Sequence, residues 1–153
     1  MNPKINFTPG PSQLYFTVRD HMRTAFREGI PSLSHRSKDF ENIFRSTTDG
    51  LRELLNLPPG YHLFFTGSAT EIWERVIQNL VEEKSFHLIN ASFSKRFFEI
   101  PGELGKKPEK IESAAGEGFD KILVPNDTEL IAVTQNETST GVSLPLDFIY
   151  DLR

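Results

Sequence analysis

The hydrophobic positions along the chain predict helices that alternate with short strands. Apolar residues recur at helical spacing over residues 14–26, following Ser12, a residue type suited to cap a helix. Gly29 predicts the end of this helix. A second apolar stripe covers residues 40–55 and follows Ser37, another capping residue type, so the N-terminal region is predicted to be helical.

Short apolar runs predict the strands. Residues 61–66, 86–89 and 130–134 are bounded by turn residues, as is typical of buried strands, and residues 122–124 form a weaker run. The charged residues 106–112 predict either a solvated connection or an edge strand. These segments supply enough strands for a sheet.

Two more helices are predicted beside these strands. Apolar residues recur at helical spacing over residues 72–81 and again over residues 93–104, where Pro101 predicts a kink or an early end. Strands that alternate with helices of this length form βαβ units. The predicted fold class is therefore α/β, with a mostly parallel sheet flanked by helices, and residues 1–153 are most simply taken as one domain.

Composition excludes several functional classes. With 153 residues, 37% hydrophobic and 25% charged, the chain can bury a core and is not disordered. It has no apolar run of the ~18 residues that a membrane span needs, and its N-terminus lacks a signal-peptide pattern. The absence of cysteine excludes thiolate chemistry and favours a cytoplasmic protein. We therefore expect no membrane partner.

Net charge and the spacing of the histidines further limit the kinds of partner and ligand that we expect. The net charge of −4 argues against a nucleic-acid partner, because polyanion binders carry basic surfaces. The four histidines lack the spacing that would place two of them on one helix face, so no metal site is predicted. A small-molecule ligand is the remaining expectation.

Gly67-Ser68-Ala69-Thr70 is the strongest local motif, since it lies between a predicted strand and a predicted helix. Small residues there expose backbone N–H groups at the positive end of the helix dipole, which is suited to a phosphate. The alternative is a capping box between Ser68 and Glu71, which satisfies the same donors internally. The two interpretations compete for the same N–H groups.

Three other positions are candidates for binding. Arg36, beside His35, could form a bidentate contact with a carboxylate or phosphate, although both residues also suit a solvated helix start. Residues 135–142 follow a predicted parallel strand, where open α/β sheets bind ligands, but they could equally form a polar turn closed by Gly141. Phe93 could stack on a flat ring or simply pack in the core.

Together, four segments resemble the class V aminotransferases, which are pyridoxal-phosphate enzymes of fold type I. The resemblance lies in their order and spacing along nearly the whole chain. The segments are Asn6-Phe7-Thr8-Pro9-Gly10-Pro11-Ser12, Ser34-His35-Arg36-Ser37-Lys38-Asp39-Phe40, Thr66-Gly67-Ser68-Ala69-Thr70 and Asn136-Glu137-Thr138-Ser139-Thr140-Gly141-Val142.

The resemblance implies roles for seven residues. The turn formed by Ser68, Ala69 and Thr70 would hold the phosphate of pyridoxal 5′-phosphate. Phe93 would stack on the cofactor's pyridine ring, and Thr138 would lie beside its ring oxygen. His35 and Arg36 would receive the acidic group of an amino-acid or keto-acid substrate. These enzymes build their sites across a dimer, so a homodimer is also expected.

The first two segments are most similar to the phosphoserine branch of the family. That branch transfers an amino group from glutamate to 3-phosphohydroxypyruvate. Phe93, where that branch usually has tryptophan, and Ser139-Thr140-Gly141 are closer to the serine–pyruvate and alanine–glyoxylate branch. The natural substrate therefore stays open at this point.

The resemblance also implies an absence. None of the eight lysines lies in the context of the lysine that binds the cofactor covalently, so no catalytic residue is assigned. We therefore expect residues 1–153 to be an incomplete large domain, the N-terminal part of a fold type I enzyme without its C-terminal part. A non-catalytic α/β module that binds a phosphorylated ligand is the alternative.

Overall fold

The computed structural model describes residues 5–8 and 10–152 and divides the chain into two compact units, residues 1–65 and 66–153. Each unit is described separately below. Pro9, which belongs to the first family-like segment, lies outside the described residues. None of the described helices has the length and apolar character needed to cross a membrane.

The first unit is helical. It contains α1 (Val18–Arg27), a short 3₁₀ turn (Ile30–Ser32) and α2 (Lys38–Leu54). The predicted end of α1 is confirmed, because Gly29 adopts the left-handed conformation with φ = 71°. The cap of α2 is confirmed as well, since Ser37 Oγ accepts a hydrogen bond from Phe40 N at 3.2 Å.

Two predictions in this unit are wrong. Helix α1 does not follow Ser12 but begins at Val18, since the preceding segment is held by a hydrogen bond from Asn6 N to Gln13 Oε1 at 3.0 Å. Residues 61–66 are not a buried strand: Phe64 is 82% exposed, and no described strand pairs with them. An apolar run indicates a strand only where a neighbouring strand can satisfy its backbone groups.

The second unit contains the sheet. Its elements in chain order are α3 (Ala69–Leu80), β1 (Lys84–Ile89), α4 (Ser92–Glu103), β2 (Lys107–Glu112), β3 (Leu130–Ala132), β4 (Asn136–Glu137), β5 (Val142–Ser143) and α5 (Leu146–Tyr150). Strand β1 is central, with β2 and β3 parallel to it on either side. The predicted α/β class with a parallel sheet is thus confirmed, and residues 106–112 form the edge strand rather than a connection.

Helices α3 and α4 cover the sheet and form its core. Ile77, Val81 and Ile100 are buried, and Trp73 stacks on Phe97 with ring centroids 5.0 Å apart. Such aromatic pairs add to the hydrophobic burial that holds the layers together.

Two local predictions in this unit need correction, and one element was not predicted. Pro101 does not end α4 early, because it lies in the last turn, where its missing N–H costs a single hydrogen bond. Residues 122–124 are not a strand, since Leu123 is largely exposed and the segment has no strand partner among the described residues. The β4–β5 pair, an antiparallel hairpin, was not predicted, because each of its strands has only two residues.

His87 is the most deeply buried titratable group of β1. Its Nε2 lies 2.9 Å from Ser85 Oγ, and its ring meets the edges of Phe97 and Phe98. Its Nδ1 is buried without a hydrogen-bond partner among the described residues. Because burial penalises the charged form, the pKa of His87 falls from 6.5 to about 4.

We predict that His87 makes folding stability fall as the pH is lowered from 6.5 towards 4. In that range the unfolded chain takes up a proton on His87 and the folded chain does not, so unfolding becomes easier by up to about 3 kcal/mol. Urea unfolding between pH 5 and 7.5 should show this slope in the wild type and lose it in His87→Phe. The control His62→Gln, at an exposed position, should keep the wild-type slope; an unchanged slope in His87→Phe would contradict the prediction.

Candidate functional site

The candidate site lies at the carboxyl end of β1. The chain leaves β1 through α4 to β2 on one side, and β3 lies on the other side of β1. Ligands of open α/β sheets bind at such switch points. A cleft of about 310 Å³ opens there, and its polar and charged lining residues are Asn90, Ser92, Lys95, Glu112, Ser113, Ser139 and Thr140.

The start of α4 is held by a carboxylate from the β4–β5 hairpin. Glu137 is fully buried, and its Oε2 accepts hydrogen bonds from Ser94 N and Ser94 Oγ, both at 2.9 Å. Its Oε1 accepts from Phe93 N at 3.3 Å and from Ser139 Oγ at 2.5 Å. Burial by itself would raise the pKa of Glu137, but these hydrogen bonds outweigh it and lower the pKa, so the side chain is ionised.

Two serine hydroxyls complete this network. Ser94 Oγ also accepts from the backbone N–H groups of Asn90 and Ala91, each at 3.1 Å. Ser139 Oγ accepts from Ser92 N at 3.3 Å. The N–H groups at the first turn of α4 therefore have acceptors, although Ala91 at the N-cap position offers none.

The network brings together two predicted binding positions. Phe93 lies on the first turn of α4, and Thr138 directly follows Glu137 in the hairpin turn. The Phe93 side chain is 46% exposed, so its ring is not simply a core residue. The turn itself also fits the second interpretation of residues 135–142: Glu137 O accepts from Gly141 N at 2.9 Å, and Gly141 adopts φ = 79°.

The Ser68-Ala69-Thr70 turn stands at the start of α3, as predicted. Ser68 Oγ accepts from Glu71 N at 3.3 Å, and the Glu71 carboxylate accepts from Gly67 N at 3.1 Å. This is the predicted capping box, with the carboxylate reaching one residue further back. The backbone N–H groups of Ala69 and Thr70 have no described acceptor, and no described hydrogen bond links this turn to Phe93 or Thr138.

His35 and Arg36 lie in the tight turn before α2, in the first unit. Arg36 N donates to Ser34 Oγ at 3.3 Å, and both side chains are exposed. This placement leaves the Arg36 guanidinium accessible to an acidic ligand. It equally matches a solvated helix start.

Sequence reasoning placed Glu137 only within a polar segment and gave Ser94 no role. One signal could have drawn attention to them. Helix α4 follows Ala91, which cannot cap it, so its first N–H groups require an acceptor from elsewhere in the chain. A glutamate beside a predicted ligand-binding turn is such an acceptor.

No family model matches the chain. Curated proteins do: the phosphoserine aminotransferase of Rhodococcus opacus is 33% identical over 117 residues, which cover 74% of this chain and 31% of that protein. The phosphoserine aminotransferase of Azobacteroides pseudotrichonymphae is 31% identical over 155 residues, covering 94% and 43% of the two chains.

Solved structures agree with these relatives. The crystal structure of a phosphoserine aminotransferase from Cytophaga hutchinsonii is 57% identical, matches with a TM-score of 0.93, and covers 100% of this chain and 43% of that one. A phosphoserine aminotransferase from Trichomonas vaginalis with bound pyridoxal phosphate matches in fold, with a TM-score of 0.77 at 19% identity, over 92% and 46% of the chains. This chain spans less than half the length of each of these relatives.

The parallel sheet flanked by helices is therefore the fold of the fold type I enzymes to which these phosphoserine aminotransferases belong. Within that class, the chain resembles the N-terminal part of phosphoserine aminotransferases. The resemblance to class V aminotransferases in its sequence motifs is confirmed.

We predict that Glu71 competes with phosphate at the start of α3. Its side chain is 44% exposed and places a negative charge against Gly67 N, where a bound anion would be repelled. Glu71→Gln should therefore bind inorganic phosphate more tightly than the wild type, as measured by shifts of the Ala69 and Thr70 amide resonances. Glu74→Gln, one turn along the exposed face of α3, is the matched control, and equal affinities in the two variants would refute the prediction.

Proposed function

We propose that this protein takes part in pyridoxal-phosphate-dependent transamination of the phosphoserine aminotransferase type. The reaction would pass the amino group of glutamate to 3-phosphohydroxypyruvate and give phosphoserine and 2-oxoglutarate, a step of serine biosynthesis. The observation that carries the proposal is the site at the carboxyl end of β1, where one buried carboxylate joins the segments of Phe93 and Thr138. The relatives named above support it.

The residues present fit a phosphorylated pyridine cofactor. The free N–H groups of Ala69 and Thr70, with Ser68, would hold its phosphate at the positive end of α3. The half-exposed Phe93 ring would stack on the flat heterocycle, and the Thr138 hydroxyl would donate to the ring oxygen. When bound, pyridoxal phosphate would supply the electron sink that amino-group transfer needs.

Arg36 and His35 would bind the acidic group of the substrate. Arg36 carries a permanent positive charge and five N–H donors, which suit a carboxylate or phosphate. His35, its neighbour in the exposed turn, would add a further donor. No residue of this chain is proposed as the covalent attachment point of the cofactor, and we propose that residues 1–153 correspond to part of one large domain.

We further propose a cytoplasmic homodimer as the working form. The absence of cysteine is compatible with that compartment. The large apolar side chains of Ile5, Phe7, Tyr15, Phe16 and Phe26 in the first unit are exposed, as at surfaces that bind a partner.

Self-association is therefore predicted at micromolar concentration. Sedimentation velocity should show a dimer, and Phe16→Ser, which replaces an exposed phenylalanine, should shift the distribution towards monomer. Phe148→Ser, at a half-buried phenylalanine of the second unit, is a control that should not shift it. A monomer that persists to high concentration would contradict the proposal.

Cofactor binding can be tested without a covalent attachment point. Pyridoxamine 5′-phosphate carries the same phosphate and ring, so the wild type should bind it in a calorimetric titration. Thr138→Val and Thr70→Val should each weaken binding severalfold, because each removes a hydroxyl next to the ligand. Thr128→Val, remote from the site at the start of β3, should leave affinity unchanged.

Two outcomes would count against the proposal. Failure of the wild type to bind pyridoxamine phosphate would contradict the proposed cofactor site. Binding of inorganic phosphate alone would favour the non-catalytic phosphate-binding module. A stoichiometric adduct on one lysine after incubation with pyridoxal phosphate and borohydride would instead show that this chain does carry the attachment point.

A further inference from the structure

We propose that Glu137 is a positioning residue that fixes Phe93 at the ligand site by holding the first turn of α4. The proposal deepens the function proposed above and rests on it for the identity of the ligand. It assigns a role to the buried carboxylate itself, which accepts hydrogen bonds from the first turn of α4 and from the Ser139 hydroxyl. Its evidence is the geometry of four hydrogen bonds.

The two carboxylate oxygens of Glu137 accept hydrogen bonds from two consecutive backbone amides. Oε1 accepts from Phe93 N and Oε2 from Ser94 N, at 3.3 and 2.9 Å. A carboxylate that spans two successive N–H groups fixes the position of the peptide plane between them. The Cα of Phe93 lies in that peptide plane. Glu137 therefore fixes the point from which the Phe93 side chain leaves the backbone.

No other side chain of the described residues takes up these two amides. Ala91 has no acceptor, and the Ser94 hydroxyl serves Asn90 N and Ala91 N instead. If the Glu137 side chain moved away, the N–H groups of Phe93 and Ser94 would lose these acceptors. Unsatisfied donors at a helix start favour fraying of the first turn.

The arrangement also explains why a charged residue is kept at this buried position. The four donors, together with the positive end of the α4 dipole, offset the cost of removing the carboxylate from water. Glutamine has one oxygen and one donating amide, so it could accept at one amide only and would present N–H to N–H at the other.

The neighbouring Thr138 is held independently of the Glu137 side chain. The hairpin is closed by backbone hydrogen bonds from Gly141 N to Glu137 O and from Leu144 N to Gln135 O, at 2.9 and 2.8 Å. A side-chain substitution at Glu137 leaves these bonds in place. The effect of such a substitution should therefore pass through Phe93.

The first test needs no ligand. In Glu137→Gln, amide hydrogen exchange at Phe93 and Ser94 should become about 10-fold faster or more, whereas the last turn of α4 keeps its protection. Ser139→Ala, which removes one donor to the carboxylate, should give a smaller change at the same amides and serves if Glu137→Gln does not fold. Glu99→Gln, an exposed carboxylate on the same helix, should change neither. Unchanged exchange at Phe93 and Ser94 would overturn the proposal.

The second test is a double-mutant cycle with pyridoxamine 5′-phosphate. Phe93→Ala and Glu137→Gln should each weaken binding by about 3- to 10-fold, the range expected for one aromatic stack. The double variant should bind no more weakly than Phe93→Ala, because Glu137 acts through that ring. Losses that multiply would overturn the positioning role. If the wild type binds no ligand, the proposed function fails, while the exchange experiment still decides whether Glu137 holds Phe93.

Discussion

The ionised, fully buried carboxylate of Glu137 is the interaction on which the site depends. It joins the hairpin after β3 to the helix after β1, two segments more than forty residues apart in the chain. Among the described residues, three of the four hydrogen bonds between these segments end on this carboxylate, and the fourth runs from Ser92 N to Ser139 Oγ. The carboxyl end of β1 supplies the location of the site, and Glu137 supplies its internal geometry.

The central strand makes this arrangement possible. Residues 85–89 are buried on both faces because helices cover the sheet and β2 and β3 flank it. Burial in this strand disfavours the charged form of His87 and lowers its pKa to about 4. Because Asn90 and the start of α4 directly follow this buried strand, the strand fixes their positions.

The sequence was a good guide where the interaction is local. Ser37 and Ser68 cap the helices that follow them, and periodicity located α2, α3 and β1. It was a poor guide where the outcome depends on a distant partner. Residues 61–66 are as apolar as β1, but no strand of the described part of the chain pairs with them, and they are irregular.

The candidate site shows the same division. The motifs and the family resemblance identified Phe93 and Thr138 as separate positions, and their connection was not visible. That connection is a hydrogen bond between a side chain and a backbone amide forty-four positions away, and no periodicity or capping rule reports such a pair. The only local trace is negative: Ala91 precedes a helix and cannot cap it.

The starts of α3 and α4 use glutamate in opposite ways. At the start of α4, Glu137 is buried, receives four hydrogen bonds and closes the helix end to any other anion. At the start of α3, Glu71 is exposed, contacts one N–H group and leaves those of Ala69 and Thr70 free. Water and an incoming phosphate can displace an exposed carboxylate at little cost. Displacing a buried carboxylate would leave its hydrogen-bond donors without acceptors. The same residue type therefore makes one helix start a fixed part of the framework and keeps the other available to a ligand.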